Sequence, residues 1–313
     1  MKTSALVPSV LVLCLAALAA ADDVGVPDPN PATGATCELV PFTFSEARVQ
    51  FQVSPAFVRP GRITELCFTG PNAGGFSCSD FVMTMAHNAS NPSCDFATNL
   101  VNPVVVYSGS INYTYLANQW VPVRLQCHFD YDGVRDLVVE VKFRGLSGGN
   151  CRFSSISDPR ATFATGPGSY TATTATSCNV NRGLKLYLTF TETKDRGGNP
   201  VPGGDKRLEF NAPLDGGLNY YAAASLASAP GISIGCRTLP MALDNMLMLS
   251  LTTPAVFSGF RGTLDAQGNA SGVINLPPGP LAGLTIWVGF LTTAPGWPSG
   301  VKSTSGAFSF TVQ

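Results

Sequence analysis

Val121-Pro-Val-Arg-Leu-Gln-Cys-His-Phe129 sets Val121, Val123, Leu125, Cys127 and Phe129 against Pro122, Arg124, Gln126 and His128. Successive side chains of a strand point to opposite faces, so this period of two describes one face in a core and one in water. The beat continues through the chain. Val49, Phe51 and Val53 alternate, Leu137, Val139, Val141 and Phe143 oppose Val138, Glu140, Lys142 and Arg144, and Leu184, Leu186, Leu188 and Phe190 oppose Lys185, Tyr187 and Thr189. One-sided burial is the habit of antiparallel sheets. Beyond the N-terminal apolar run no stretch shows a helical stripe with caps. The spacing therefore predicts an all-β chain of two consecutive antiparallel β-sandwich domains.

Composition points the same way. Thirty-two glycines and 24 prolines favour many turns over long helices. With 313 residues the chain is long enough for about two domains. Charged residues make up only 12%, about half the usual share. A formal charge of -1 excludes the strong basic field that nucleic acid binding requires, so no nucleic acid partner is expected.

The first 21 residues carry a different message. Met1-Lys2 is followed by an apolar run from Leu6 to Leu18 and by small residues from Ala17 to Ala21, the order read by an export machinery. The run is shorter than the roughly 20 residues of a membrane span. A cleaved signal peptide over 1–21 is expected, giving a secreted, cell-surface or periplasmic protein with no transmembrane segment in the mature chain. Residues 22–45 read as a Pro/Gly/Asp-rich leader, 46–194 as the first sandwich, 195–207 as a linker and 208–313 as the second sandwich. The linker sits in Lys194-Asp-Arg-Gly-Gly-Asn-Pro-Val-Pro-Gly-Gly-Asp205. Strand-like runs then recur, among them Met246 to Leu251. Leu264-Asp-Ala-Gln-Gly-Asn-Ala270 reads as a hairpin connection, with Gly268 and Asn269 able to take positive φ.

Eight cysteines remain after the signal: Cys37, Cys67, Cys78, Cys94, Cys127, Cys151, Cys178 and Cys236. An even number in an exported chain favours disulfides, and no C-x-x-C pair suggests a metal or redox motif. Only Cys236 lies beyond the linker, so it is free or bridges the boundary, with Cys37 the preferred partner.

Few residues suggest chemistry. Gly145-Leu-Ser-Gly-Gly149 matches the nucleophile-elbow pattern, but no helix follows it, and a loop is the expected reading. His87 and His128 read as surface histidines. Asp130, Asp132 and Asp136 around Gly133 resemble a weak calcium loop, against an ordinary Asp-Gly hairpin turn. Calcium is the one cofactor considered, and none is expected. Tyr107, Tyr113, Tyr115 and Trp120 cluster around a Ser/Asn-rich loop, and Trp287 and Trp297 bracket another. Rings beside amides suit sugars or peptides, so Tyr113, Tyr115, Trp120 and Trp297 are the candidate ligand residues, with core packing the alternative. Asn88, Asn112 and Asn269 begin glycosylation sequons.

The run Leu264-Asp-Ala-Gln-Gly-Asn-Ala270, with Asn275-Leu-Pro-Pro and Leu281-Ala-Gly-Leu-Thr285, resembles a C-terminal module of exported proteins from planctomycete-type bacteria. Arg62-Ile-Thr-Glu-Leu-Cys-Phe68, Asp80-Phe-Val-Met-Thr-Met-Ala-His87, Cys94-Asp-Phe-Ala-Thr-Asn99 and Leu137-Val-Val-Glu-Val141 resemble an N-terminal module of such proteins. The resemblance implies an extracellular two-domain β protein and brings no catalytic residues. The expectation is a non-enzymatic surface, adhesion or matrix-type protein that binds an extracellular protein or glycan. The alternative is a carbohydrate-binding or carbohydrate-cleaving protein. No pattern fixes an oligomeric state.

Overall fold

A computed structural model describes residues 23–26, 30–32, 44–70, 73–88, 91–148, 155–156, 160–180 and 183–313. The signal segment, Cys37 and Cys151 lie outside them. The chain is all-β and antiparallel throughout. Seven strands organise the first half: β1 (Val24–Val26), β2 (Glu46–Val53), β3 (Gly61–Thr69), β4 (Gly74–Asn88), β5 (Val101–Tyr115), β6 (Trp120–Tyr131) and β7 (Asp136–Gly148). A four-stranded sheet runs β1, Leu186–Phe190, β3, β6. A six-stranded sheet runs Ser177–Val180, Arg160–Thr165, β2, β7, β4, β5. Between them lies one apolar core that includes Val49, Phe51, Leu66, Phe68, Phe81, Val123, Leu125, Val139, Phe143, Leu186 and Leu188.

The second half repeats the plan. Glu192–Asn199, Asp205–Asn211, Asn269–Asn275 and Phe257–Ser258 form one sheet. Arg261–Thr263, Asn219–Ser225, Thr285–Thr293 and Val301–Thr304 form the other, with Phe308–Thr311 also paired to Thr285–Thr293. Phe210, Tyr220, Phe257, Phe260, Ile274, Val288 and Phe290 fill the space between. The stretch expected to be a linker, 195–207, is instead a hairpin: Glu192–Asn199 pairs with Asp205–Asn211, and Lys206 bonds Asp195 at 2.6 Å. Its glycines made it look unstructured, yet Gly197 and Gly198 supply the positive φ that the strand irregularity needs. The leader also contributes structure, since β1 pairs with Leu186–Phe190.

Other expectations are corrected. The run from Met246 is not a strand but the helix α1 (Asn245–Thr252). Asp244 caps it, its carboxylate accepting from the Leu247 N–H at 2.8 Å and from Leu226 N–H at 2.8 Å. Leu247 and Ser250 face the sheet, the Ser250 hydroxyl accepting from Ala224 N–H, while Met248, Leu249 and Leu251 are exposed. The Asp-Gly turn after β6 is not a hairpin, because β6 and β7 belong to different sheets, and it forms a corner between them. Leu264 to Ala270 likewise joins two sheets, and only Gly268 takes positive φ there. Ser147 lies within β7 rather than in a loop, its hydroxyl 2.7 Å from that of Ser77.

Part of the outward face of the six-stranded sheet is covered rather than in water. Gln50, Gln52 and Glu140 are buried beneath the segments around Phe96 and Ala172. Arg48 pairs with Glu140 at 2.8 Å, donates to the Ala172 carbonyl and lies across the Phe96 ring. Gln50 donates to Glu140 and to the Phe96 carbonyl, and accepts from Asn99. Cys94–Cys178 fastens the segment around Phe96 to the edge strand Ser177–Val180 of the same sheet, with Cα atoms 5.1 Å apart. Gln50, Gln52 and Glu140 each have the partner that burial demands.

A polar seam joins the halves, and Arg62 of β3 is its centre. Its side chain is 4% exposed. Nε and Nη2 form a fork to Asp130 at 2.6 and 2.7 Å, while Nη1 donates to Thr304 Oγ1, the Ser305 carbonyl and the Thr238 carbonyl. One guanidinium thus ties β3 and β6 to three residues of the second half. Arg59 adds a two-point bond to Glu192, and Arg124 and Lys302 both donate to the Leu214 carbonyl. His128, expected at the surface, lies in this seam with Nδ1 3.3 Å from Thr304 Oγ1. Burial, then Arg62 and Arg237, hold its pKa well below the usual histidine value. His87 is buried too, Nε2 accepting from Asp132 N–H, and burial lowers its pKa despite the Asp132 carboxylate 3.7 Å away.

Cys236 closes the seam on Cys127 of β6, not on Cys37, with Cα atoms 5.4 Å apart. The sequence offered no metric for choosing among partners, and strand geometry does. Non-reducing peptide mapping should recover Cys127 joined to Cys236. The C127S/C236S double variant should lose about 2–5 kcal/mol of stability, as expected for opening a loop of this length. Unchanged stability would show that the bridge adds nothing to the seam.

Candidate functional site

The end of the first sheet pair, where β5 passes to β6, carries the most site-like surface. Residues 116–119 cross from the six-stranded sheet to the four-stranded one. Asn118 takes a left-handed conformation (φ 55°) and its N–H bonds the Gly70 carbonyl at 2.8 Å, pinning the turn to the end of β3. Asparagine tolerates that conformation better than most side chains. The turn opens a cleft of about 320 Å³ lined by Tyr113, Thr114, Leu116, Gln119, Trp120, Val121 and Pro122. That is the lower end of the size range of small-molecule sites.

Two of the four aromatic candidates meet in this cleft. Tyr113 is half-buried and packs on Phe76, with ring centroids 5.7 Å apart, and Trp120 packs on Tyr187 at 5.2 Å. The core fixes Tyr113 through Phe76, Tyr187 backs Trp120, and Leu116 and Gln119 stand exposed beside them. Tyr115 pairs through its backbone with Gly74 on the neighbouring strand, and its side chain lies outside the described atoms. Trp297 belongs elsewhere. It lines the seam, with the Arg237 guanidinium 5.0 Å over its ring. Core packing therefore accounts for part of Tyr113, contact with Tyr187 for part of Trp120, and the seam for Trp297.

Beside the cleft, on the same sheet, lies a buried ionisable group that sequence reading passed over. Glu65 and Cys67 are two apart on β3, so they share a face, and Cys67 sits opposite Pro122 and Tyr187. Both are nearly inaccessible. The Cys67 thiol donates to Glu65 Oε1, and Glu65 Oε2 lies 3.7 Å from Arg124 Nε. Burial pushes Glu65 up to about 7, against the pull of Arg124. Burial and the neighbouring Glu65 push the Cys67 thiol well above its ordinary value, so it is a protonated packing group and not a nucleophilic thiolate. Burial likewise raises the Tyr113 phenol. The signal in the sequence was slight: one carboxylate within the strand Gly61–Thr69.

The acidic loop is spent on the fold. Asp130 holds Arg62, Asp132 accepts from Val134 and Arg135 N–H and pairs with Arg135, and Asp136 accepts from Gln52. The three carboxylates face three different partners. Of the sequon asparagines, Asn88 is buried against Gln52, Asn269 bonds Asn211, and Asn112 is exposed on β5. Among the described residues no helix is long and apolar enough to cross a membrane, and the two disulfides fit an oxidising compartment. No protein-family model matches the chain, and no curated protein matches it significantly.

Glu65 sets a pH dependence. Its carboxyl titrates near 4.5 when unfolded and near 7 when folded, so folding takes up a proton between those values. Stability should fall as pH rises through that window and level off above it. Asp23, raised by burial from 3.8 to about 6, adds a slope of the same sign at lower pH. E65Q should flatten the fall between pH 5 and 7.5 and gain on the order of 1–3 kcal/mol at pH 8 relative to wild type. Denaturant unfolding across pH measures it, and an undiminished slope in E65Q would locate the proton elsewhere.

Proposed function

We propose that the chain is an exported, non-enzymatic binding protein of the cell surface or its surroundings, and that the cleft at the β5–β6 turn is its ligand site. The observation that carries this reading is the convergence of Tyr113 and Trp120 on one open cleft, each ring held from behind by a second ring. Rigid aromatic faces bind at low entropic cost, because little side-chain freedom remains to be lost. Export is supported by the N-terminal charge, apolar run and small residues, and by disulfides that suit an oxidising compartment.

A carbohydrate is the second reading. It is favoured by the pairing of ring faces with the Gln119 amide and Thr114 hydroxyl, and by the lack of any charged side chain among the residues lining the cleft. Sugars present apolar C–H faces to aromatic rings and hydroxyls to amides. Glycan-array binding by the purified mature chain tests it directly. Binding to neutral glycans should be lost by at least tenfold in W120A, with the fold intact by circular dichroism. Glycan binding that survives W120A would move the site away from the cleft, and absence of glycan binding would leave a protein or matrix ligand as the reading to pursue.

A further inference from the structure

A lysine and an aspartate meet inside the second half of the chain, largely withdrawn from water. Asp215 ends the short helical turn Pro213–Asp215, and its side chain is 1% exposed. Lys302 lies in the strand Val301–Thr304, and its side chain is 10% exposed. Its Nζ stands 2.6 Å from Asp215 Oδ1. The same amine donates to the Leu214 carbonyl at 2.9 Å, which fixes its orientation. Oδ2 is held separately, because the Thr292 hydroxyl donates to it at 2.5 Å. Thr292 is fixed in turn by Ser303, the neighbour of Lys302, whose N–H donates to Thr292 Oγ1.

Two features set this contact apart from an ordinary ion pair. Oδ1 is buried and accepts no hydrogen bond, so Nζ touches the carboxyl group without hydrogen-bond alignment. Both partners are also buried, where an ion pair gains least over the cost of its desolvation. Lys206 and Asp195 approach to 2.6 Å as well, but Asp195 is 51% exposed and water solvates that pair. In a dry site, condensation of amine and acid removes a charge pair that is costly to bury and releases one water. A small cavity at the seam, about 10 Å³ and lined by Leu214, Asp215, Lys302 and Ser303 among others, has room for that molecule.

We propose that Asp215 and Lys302 are joined by an isopeptide bond that the folded chain forms by itself. One proton passes from Nζ to Oδ1 across their contact, giving an amine and a carboxylic acid. The Nζ lone pair attacks Cγ while the Thr292 hydroxyl supports the negative charge that gathers on Oδ2. A second proton leaves Nζ for Oδ1, the Cγ–Oδ1 bond breaks, and Oδ1 departs as water. One ammonium and one carboxylate become one amide and one water, with no oxidant or cofactor. The Asp215 carboxylate also attracts Arg237, and the net charge near that guanidinium is unchanged because an anion and a cation vanish together. The bond ties the turn after Asp205–Asn211 to the strand Val301–Thr304 and so joins the two sheets of this half covalently.

Peptide mass mapping of the reduced, unfolded wild-type chain after trypsin tests the bond. Leu208–Arg237 and Gly262–Gln313 should appear as one linked species, lighter than their sum by one water and uncleaved after Lys302. K302R keeps the positive charge without a nucleophilic amine. It should release Leu208–Arg237 at its sequence mass and lower the unfolding midpoint by about 10 °C or more. Separate wild-type peptides Gly262–Lys302 and Ser303–Gln313, with Leu208–Arg237 at its sequence mass, overturn the bond whatever the variant does.

Discussion

One buried guanidinium fixes the relation between the two halves of this chain. Arg62 leaves β3 on the face away from the core and spends every donor nitrogen at once, on Asp130 of its own sheet and on Thr238, Thr304 and Ser305 of the other half. Such a group is costly to bury and more costly to leave half-satisfied. The second half is therefore held in the one placement that completes the set. Cys127, on the same strand as Asp130, is bridged to Cys236 and fixes that placement covalently. The buried place of His128 follows from it, because Thr304 of the second half stands against its ring.

Much of the fold was legible in the alternation of single strands. Leu137, Val139, Val141 and Phe143 are all fully buried, as their spacing required. What alternation does not contain is the identity of whatever covers the opposite face. Glu140 and Gln50 belong to the polar, solvent-facing set of the alternation, yet both are buried: Gln50 donates to the carbonyl of Phe96, 46 residues away, and Glu140 accepts from Arg48 and Gln50 on the neighbouring strand. The glycine-rich stretch 195–207 was misread for a related reason, since its strand pairing depends on a twist that only glycine permits. For α1 the cue was Asp244. The helix is apolar nearly all round, so no stripe showed, and the capping carboxylate was the remaining signal.

The candidate site was partly legible. Tyr113 and Trp120 flank a short turn, and closeness along the chain brought them to one cleft. Trp297 was grouped with them by residue type alone and belongs to the seam, where Arg237 covers it. Glu65 went unread, and Cys67, counted among the disulfide candidates, is a free buried thiol; burial, not neighbouring sequence, gives both their character. The acidic loop had the composition of a cation site, but each carboxylate is committed to a different protein donor.

Calorimetry of an R62M/C127S/C236S variant most directly tests the central claim that the Arg62 seam makes the halves one mechanical unit. Wild type should unfold in a single transition, and the variant should separate into two, each half keeping its own core. A variant that still unfolds in one transition at the wild-type midpoint would contradict the account.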